Sequence, residues 1–180
     1  MIHDRTIEGI LVSLKPVMSE DAEFILKLRQ RDDVSRYMHR VDISVEQQIQ
    51  WIKTHQEIDG DYYFLIWSKD NRRIGTISLY NKFNDHCEVG RLASIGNPIE
   101  NIEAIILTYN FAFGELGYKY LVGSVAPDNK NVKNLNKRLG VVFNDEIVSI
   151  NGMLLQFGKV KKEDYFTRRP NIIRFLRETL

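Results

Sequence analysis

CEVGRLASIGNPIENIEAIILTYNFAFGEL, residues 87–116, changes its hydrophobic period once, and that change decides the fold. Residues 87–94 alternate as a strand does, with Glu88, Gly90, Leu92 and Ser94 expected on one side and Cys87, Val89, Arg91 and Ala93 on the other. Ile99, Ile102, Ile106, Tyr109, Phe113 and Leu116 then recur at three- and four-residue steps, the apolar stripe of a helix. Between the two stand Gly96, Asn97 and Pro98: Asn97 suits an N-cap, and Pro98 suits the first helical position, where a missing N–H does no harm. A strand feeding straight into a helix start presents free N–H groups and a positive dipole end, which together can hold an anion or a phosphate.

The flanking chain repeats the two periods. Upstream, residues 10–17 alternate, and Ser19 is the expected N-cap of a helix running to about Arg31. The next stretch, DDVSRYMHRVDIS, has no period and carries Tyr37, Met38 and His39, side chains suited to a binding surface. Ser44 and Gln47 form a capping box that opens a second helix, expected to reach about Ile58. Residues 62–67 and 74–80 read as a hairpin of strands turning at Lys69, Asp70 and Asn71, and residues 81–86 form a polar connection. Downstream come a strand over 118–125, a helix over 131–139 closed by Gly140, and strands over 141–150 and 153–160 joined at Asn151-Gly152, the strongest short hairpin signal. Residues 161–170 are charged and expected to be exposed; Ile172, Ile173, Phe175 and Leu176 suggest a short final helix. The order β-α-α-β-β-β-α-β-α-β-β, without repeats, is an α+β pattern in one domain over residues 1–180.

Composition narrows the function classes. Apolar residues make up 43% and charged residues 27%, ordinary for a globular chain, and a formal net charge of +1 gives no reason to expect nucleic acid as a partner. A single cysteine, Cys87, excludes an internal disulfide framework and a cysteine-based zinc site; no metal is expected. No apolar run reaches the length of a membrane span, and MIHDRTIEG does not read as a signal peptide, so a cytoplasmic enzyme or binding domain without membrane partners is the expectation.

The element order resembles the GNAT superfamily of N-acetyltransferases over nearly the whole chain. LKPVMSEDAEFILKLR (14–29) is similar to the start of many bacterial members, and VAPDNKNVKNLNKRLG (125–140) is similar to their helix beside the acyl-coenzyme A tail. CEVGR, with Glu103 in the following helix, resembles a branch that acetylates nucleotide-linked amino sugars; ribosomal-protein-type members are the close alternative. The resemblance implies a mixed, mostly antiparallel sheet of about seven strands with helices on both faces, splayed between the fourth and fifth strands near residue 93. It also implies acetyl-CoA as co-substrate. Its pantetheine arm would lie along Leu92, Ala93 and Ser94, its pyrophosphate at Gly96, Asn97, Asn101 and Ile102, and further contacts would come from Asn129, Lys133 and Lys137. The sequence departs from the family at two places. The usual Gln/Arg-x-x-Gly-x-Gly/Ala loop is missing, its glycine places falling near Glu100 and Ile102, and Glu100 at N3 can complete a capping box with Asn97. Asn136 stands where many members carry a tyrosine acid.

Acetyl transfer from a thioester to an amine requires a base for the amine, a polarised carbonyl and a proton for the thiolate. Glu88 is the expected base, with Asp85 and His86 as rivals, and Asn136 is placed beside the leaving thiolate. Tyr37, Met38, His39, Tyr80 and Asn81 are the expected contacts of a small-molecule amine; Trp51 reads as core and Cys87 as buried and inert. A homodimer is a possible assembly. The competing reading is a non-catalytic domain that keeps the fold and has lost the cofactor.

Overall fold

Short strands dense in aliphatic and aromatic residues pair with their neighbours in sequence order from the N-terminus, as consecutive antiparallel strands tend to do. The computed structural model describes residues 3–179. Among these, β1 (Ile7–Glu8), β2 (Val12–Pro16), β3 (Tyr62–Ser68), β4 (Arg73–Tyr80), β5 (His86–Ser94), β6 (Tyr120–Val125), β7 (Val142–Ile150) and β8 (Met153–Lys161) form one sheet in the order β1-β2-β3-β4-β5-β6-β8-β7. Every neighbouring pair is antiparallel except β5 with β6, whose connection is the long helix between them. The architecture is the mixed α+β sheet expected, with β1 added. That strand, two residues pairing with Leu14 and Ser13, is too short to leave a periodic trace.

The helices cover the two faces. On one, α1 (Ala22–Gln30) and α3 (Val45–Gln56) bury Ile25 and Ile52 against Tyr63 and Leu65; α2 (Asp32–Ser35) follows α1 directly. On the other, α4 (Pro98–Asn110) and α6 (Lys162–Thr179) bury Ile106, Tyr109 and Tyr165 against Phe64, Ile77 and Leu79. Removing each such side chain from water contributes about 1.5–3 kcal/mol. α5 (Lys130–Arg138) sits between β6 and β7 in the chain.

Several boundaries differ from the sequence reading. Ser19 does not cap α1: a single 3-10 turn, Ser19–Asp21, precedes the helix, and the Met18 N–H donates to Asp21 Oδ2 at 2.9 Å. The stretch without period contains α2, too short to show one. The last helix starts at Lys162 rather than near Ile172, because Tyr165 is wholly buried against Tyr109 and Phe113 and anchors a turn whose other residues are charged. Pro170 lies inside that helix. After Asn110, α4 widens into a π turn, Phe111–Glu115, which brings Phe111, Ala112 and Phe113 all into the core.

Candidate active site

β5 and β6 pair over three rungs only, His86 with Tyr120, Cys87 with Leu121 and Glu88 with Val122. Beyond Glu88 they part, although β5 runs on to Ser94 and β6 to Val125. At the fork they are still close: a Cβ on Gly123 would stand 2.9 Å from the Val89 carbonyl oxygen, so only glycine fits there. The cleft that opens above holds about 600 Å³ counted out to solvent, between Val89, Gly90 and Leu92 of β5 and Gly123 and Ser124 of β6. Ile105 and Tyr109 of α4 and Val132 and Asn136 of α5 close its sides. The backbone groups of β5 that face β6 past Glu88 have no strand partner, so they can bond an extended arm as an added strand would. The opening begins at Glu88, five residues earlier than the expected gap near residue 93.

A bulge turns β5 away. Thr76 pairs with Ala93 and Ser78 with Gly90, so Arg91 and Leu92 together oppose Ile77. Arg91 takes φ 51°, in the left-handed region that residues other than glycine rarely adopt, and its carbonyl accepts from Thr76 Oγ1 at 3.0 Å. The extra residue reverses the expected alternation. Ala93 shares the face of Glu88, and Leu92 packs in the cluster of Ile77 and Cys87. The Arg91 guanidinium donates to both Asp61 oxygens at 2.7 and 2.9 Å and lies over the rings of Tyr80, Trp51 and Tyr63.

Glu88 stands at the fork, half-buried. Its carboxylate accepts from Tyr80 Oη at 2.6 Å and from Asn81 Nδ2 at 2.9 Å. Burial, and then the adjacent carboxylate, pushes the Tyr80 phenol well above its ordinary range, which keeps it a donor. Of the rivals, His86 is stacked between Phe83 and Tyr120, at 4.6 and 4.4 Å between ring centres, with Nδ1 3.0 Å from Asp85 Oδ1. Those two residues hold each other at the start of β5. Cys87 is fully buried on the opposite face, and burial pushes its thiol up to about 12.

The remaining expected residues fall into three groups. Tyr80 and Asn81 touch Glu88 directly. Tyr37, Met38 and His39 follow α2, which packs on β5; Tyr37 and Met38 are half-buried and His39 is exposed. Trp51 is half-buried, stacked on His55 at 3.6 Å, rather than core. On the far side, Asn129 caps α5 by accepting from the Val132 N–H at 3.3 Å, Lys133 Nζ donates to Gln156 Oε1 at 2.5 Å, and Lys137 is exposed. Ala93 is buried and Ser94 Oγ donates to the Ile74 carbonyl. At the start of α4, Asn97 Oδ1 accepts from the N–H groups of Ile99 and Glu100, both at 2.9 Å, and Glu100 Oε2 accepts from the Asn97 N–H at 2.8 Å. The Gly96 N–H goes to Ser94 Oγ, and Asn101 Nδ2 to the Gly96 carbonyl. Ile102 packs against the core. The donors of this turn are thus engaged within the chain, as a complete capping box requires, and a diphosphate would have to displace them.

Glu103 belongs to the fold rather than to a substrate site. It is buried, and its carboxylate accepts from the N–H groups of Ile10, Leu11 and Val12 at 2.8, 2.6 and 2.8 Å. A Cβ on Gly9 would come within 2.8 Å of Glu103 Oε2, so glycine there lets the backbone wrap the carboxylate. The sequence reading missed Arg29, Asp61 and Arg91 on the Glu88 face and Tyr109 in the cleft wall. Strand alternation puts Arg91 on the wrong face, the helix stripe marks Tyr109 only as core, and no local pattern marks Arg29 or Asp61. Among the described residues no cluster of three His, Cys, Asp or Glu could hold a metal, and no helix is long and apolar enough to cross a membrane.

Residues 12–142 match the family described as the acetyltransferase (GNAT) domain. Acetyltransferase PseH of Campylobacter jejuni subsp. jejuni serotype O:23/36 (strain 81-176) is 25% identical over 130 residues, 71% of this chain and 81% of that protein. Among solved structures, apo FdhC, described as a nucleotide-linked sugar GNAT, superposes with a TM-score of 0.82 at 24% identity over 97% of this chain and 99% of that one. A GCN5-related N-acetyltransferase from Brucella melitensis gives 0.79 at 17% identity, over 97% and 86% of the two chains. A chimera of spermidine N-acetyltransferase SpeG from Vibrio cholerae with hSSAT gives 0.75 at 16%, over 88% and 100%.

Proposed function

The chain belongs to the GNAT acetyltransferase family, and on that premise we propose that it moves an acetyl group from acetyl-CoA to the primary amine of a small, nucleotide-linked amino sugar. The observation that carries the reading is the fork itself: two parallel strands that part beside a carboxylate held by two donors. Acetyl-CoA, when bound, supplies an activated thioester. The residues that would hold it are the unpaired edge of β5 from Val89 to Ser94 and, at the mouth, Asn129, Lys133 and Lys137. The cleft fits an extended, largely apolar arm, since Leu92, Val132 and Ile105 line it.

Glu88 takes a proton from the substrate ammonium, directly or through one water, and leaves a nucleophilic amine at the fork. Tyr80 and Asn81 each donate to one carboxylate oxygen and so fix its orientation toward the fork. Backbone N–H groups on the open edge of β5 hydrogen-bond the carbonyl oxygen as charge develops on it. The amine nitrogen bonds to the carbonyl carbon, the carbon–sulfur bond breaks, and the nitrogen gives up its second proton to water. Asn136 offers an amide that hydrogen-bonds a thiolate but cannot protonate it, so the sulfur takes its proton from water.

Two observations support a sugar nucleotide over a polyamine. The neighbour with a TM-score of 0.82 is described as a nucleotide-linked sugar GNAT. On the Glu88 face, the buried acid Asp61 is already paired with Arg91, and rings rather than free carboxylates surround it. The filled capping box at 97–100 and the amide at 136 favour the competing reading, a non-catalytic domain. Melting with and without acetyl-CoA separates the two. A ligand at a hundred times its dissociation constant stabilises by about 2.7 kcal/mol, or about 5–11 °C for a domain of this size. No rise would refute the transferase reading. After a rise, thiol release with nucleotide-linked amino sugars and with spermidine decides the acceptor.

A further inference from the structure

We propose that Arg29 is the anion seat of the acceptor site and binds a phosphate of the nucleotide-linked amine. The inference rests on the sugar-nucleotide reading above and names the group that would recognise the acceptor. Arg29 lies in the last turn of α1, a helix that packs on β4 and on β5, the strand that carries Glu88. Its Nε is buried and has no hydrogen-bond partner. Among the described residues Arg29 makes one hydrogen bond, from Nη2 to the His39 carbonyl at 3.3 Å, and no carboxylate pairs with it. Burial lowers the guanidinium below its ordinary range, and the like charge of Arg91 acts in the same direction.

Other arginines at the sheet behave differently. Arg91 has Asp61, and Arg73 has Asp21. Arg29 is half-buried, and a cation drawn partly out of water without a counterion is unfavourable unless something else supplies the charge. A guanidinium's fork of donors matches the oxygens of a phosphate, and an unpaired Nε edge is one side of such a fork.

Position makes the acceptor the natural source of that anion. Arg29 lies close to Tyr63 and Arg91. Tyr63 pairs with Ser78, and Ser78 pairs with Gly90, two residues past Glu88. Two strand spacings, about 10 Å, therefore separate the Tyr63 column from the rim of the fork. A primary amine at Glu88 and a phosphate at Arg29 can belong to one small molecule. Tyr37 and Met38, half-buried on the segment whose carbonyl Arg29 holds, would flank it.

The competing explanation is structural: Arg29 ties the end of α1 to the 39 carbonyl and nothing more. Titration calorimetry on protein saturated with CoA, which fills any phosphate sites of the cleft, distinguishes them. Uridine diphosphate and inorganic pyrophosphate are the probes, and uridine is the control. The expected result is binding of both phosphates, weakened about tenfold or more by Arg29→Gln, with Arg29→Lys intermediate and CoA affinity unchanged in both variants. Uridine diphosphate binding no better than uridine would overturn the proposal. So would equal phosphate affinity in wild type and Arg29→Gln, or a parallel loss of CoA affinity and melting temperature in both variants, which marks a purely structural tie. If the wild type does not bind CoA, the transferase reading fails separately, and the same phosphate comparison on protein without CoA decides Arg29.

Discussion

Replacing Asp61 by Asn should weaken the fold and the cleft together. The Asp61 side chain is 3% exposed and that of Arg91 20%, with contacts of 2.7 and 2.9 Å between them. Removing one charge of a buried pair leaves the other uncompensated, a cost of about 3–5 kcal/mol. Asn keeps one acceptor, and three rings still cover the guanidinium, so the lower end, about 3 kcal/mol, is expected. For a chain of this size that corresponds to a melting point lower by about 6–12 °C. In urea it is a midpoint lower by about 1.5 M at a slope near 2 kcal/mol per molar. The slope should not change, because the surface exposed on unfolding does not. Arg91 also occupies the left-handed bulge that turns β5 from β6, so the stabilisation gained from acetyl-CoA should shrink in the same variant. The double variant Asp61→Leu, Arg91→Met should recover part of the stability, since an apolar pair avoids the desolvation of two ions, yet should not recover the acetyl-CoA effect. A loss below about 1 kcal/mol for Asp61→Asn would refute the reasoning, because it is the value typical of a solvated surface pair.

Other outcomes are expected at single sites. Glu88→Gln should lower kcat/KM by about 10²–10⁴-fold, the usual contribution of a general base, without altering acetyl-CoA affinity; steady-state kinetics against both substrates would show it, and near-normal turnover would move the base elsewhere. Glu103→Ala should strip the buried Val12 N–H and the half-buried Ile10 and Leu11 N–H groups of their partner and cost about 2–4 kcal/mol in urea unfolding, with the folded fraction fully active; lost turnover at unchanged stability would return Glu103 to the active site. Cys87, its thiol pushed up to about 12, should resist a thiol reagent at pH 8 in the native protein and label fully in denaturant. Rapid native labelling would mean that the β5 core face opens.

The elements that sequence reading located are those closed by neighbours a few residues apart. Asn151 and Gly152 take φ 49° and 81° between β7 and β8, and Ser44 with Gln47 caps α3 through contacts three residues apart. Asn97 and Glu100 close the start of α4 in the same way. The identity of Glu88 as the carboxylate on the organising strand was also legible, because strand alternation is local. Its donors were half legible: Tyr80 and Asn81 stood on the acceptor list, but not as ligands of Glu88.

The sequence by itself determined the α+β order, the strand-to-helix passage at residues 87–116 and the helix caps, because each depends on dihedral preferences and hydrogen bonds within about one turn. Tertiary structure alone decided where the strands part, which face Arg91 takes, what Glu103 holds and what surrounds Arg29. The bulge exists only in the register of β5 against Ile77 of β4, where two residues meet one. Glu103 is satisfied by backbone 91 to 93 residues away, and Arg91 by an acid 30 residues away. Such contacts follow from how the sheet aligns distant segments, and the energy of burying a charge is set by what that alignment brings beside it.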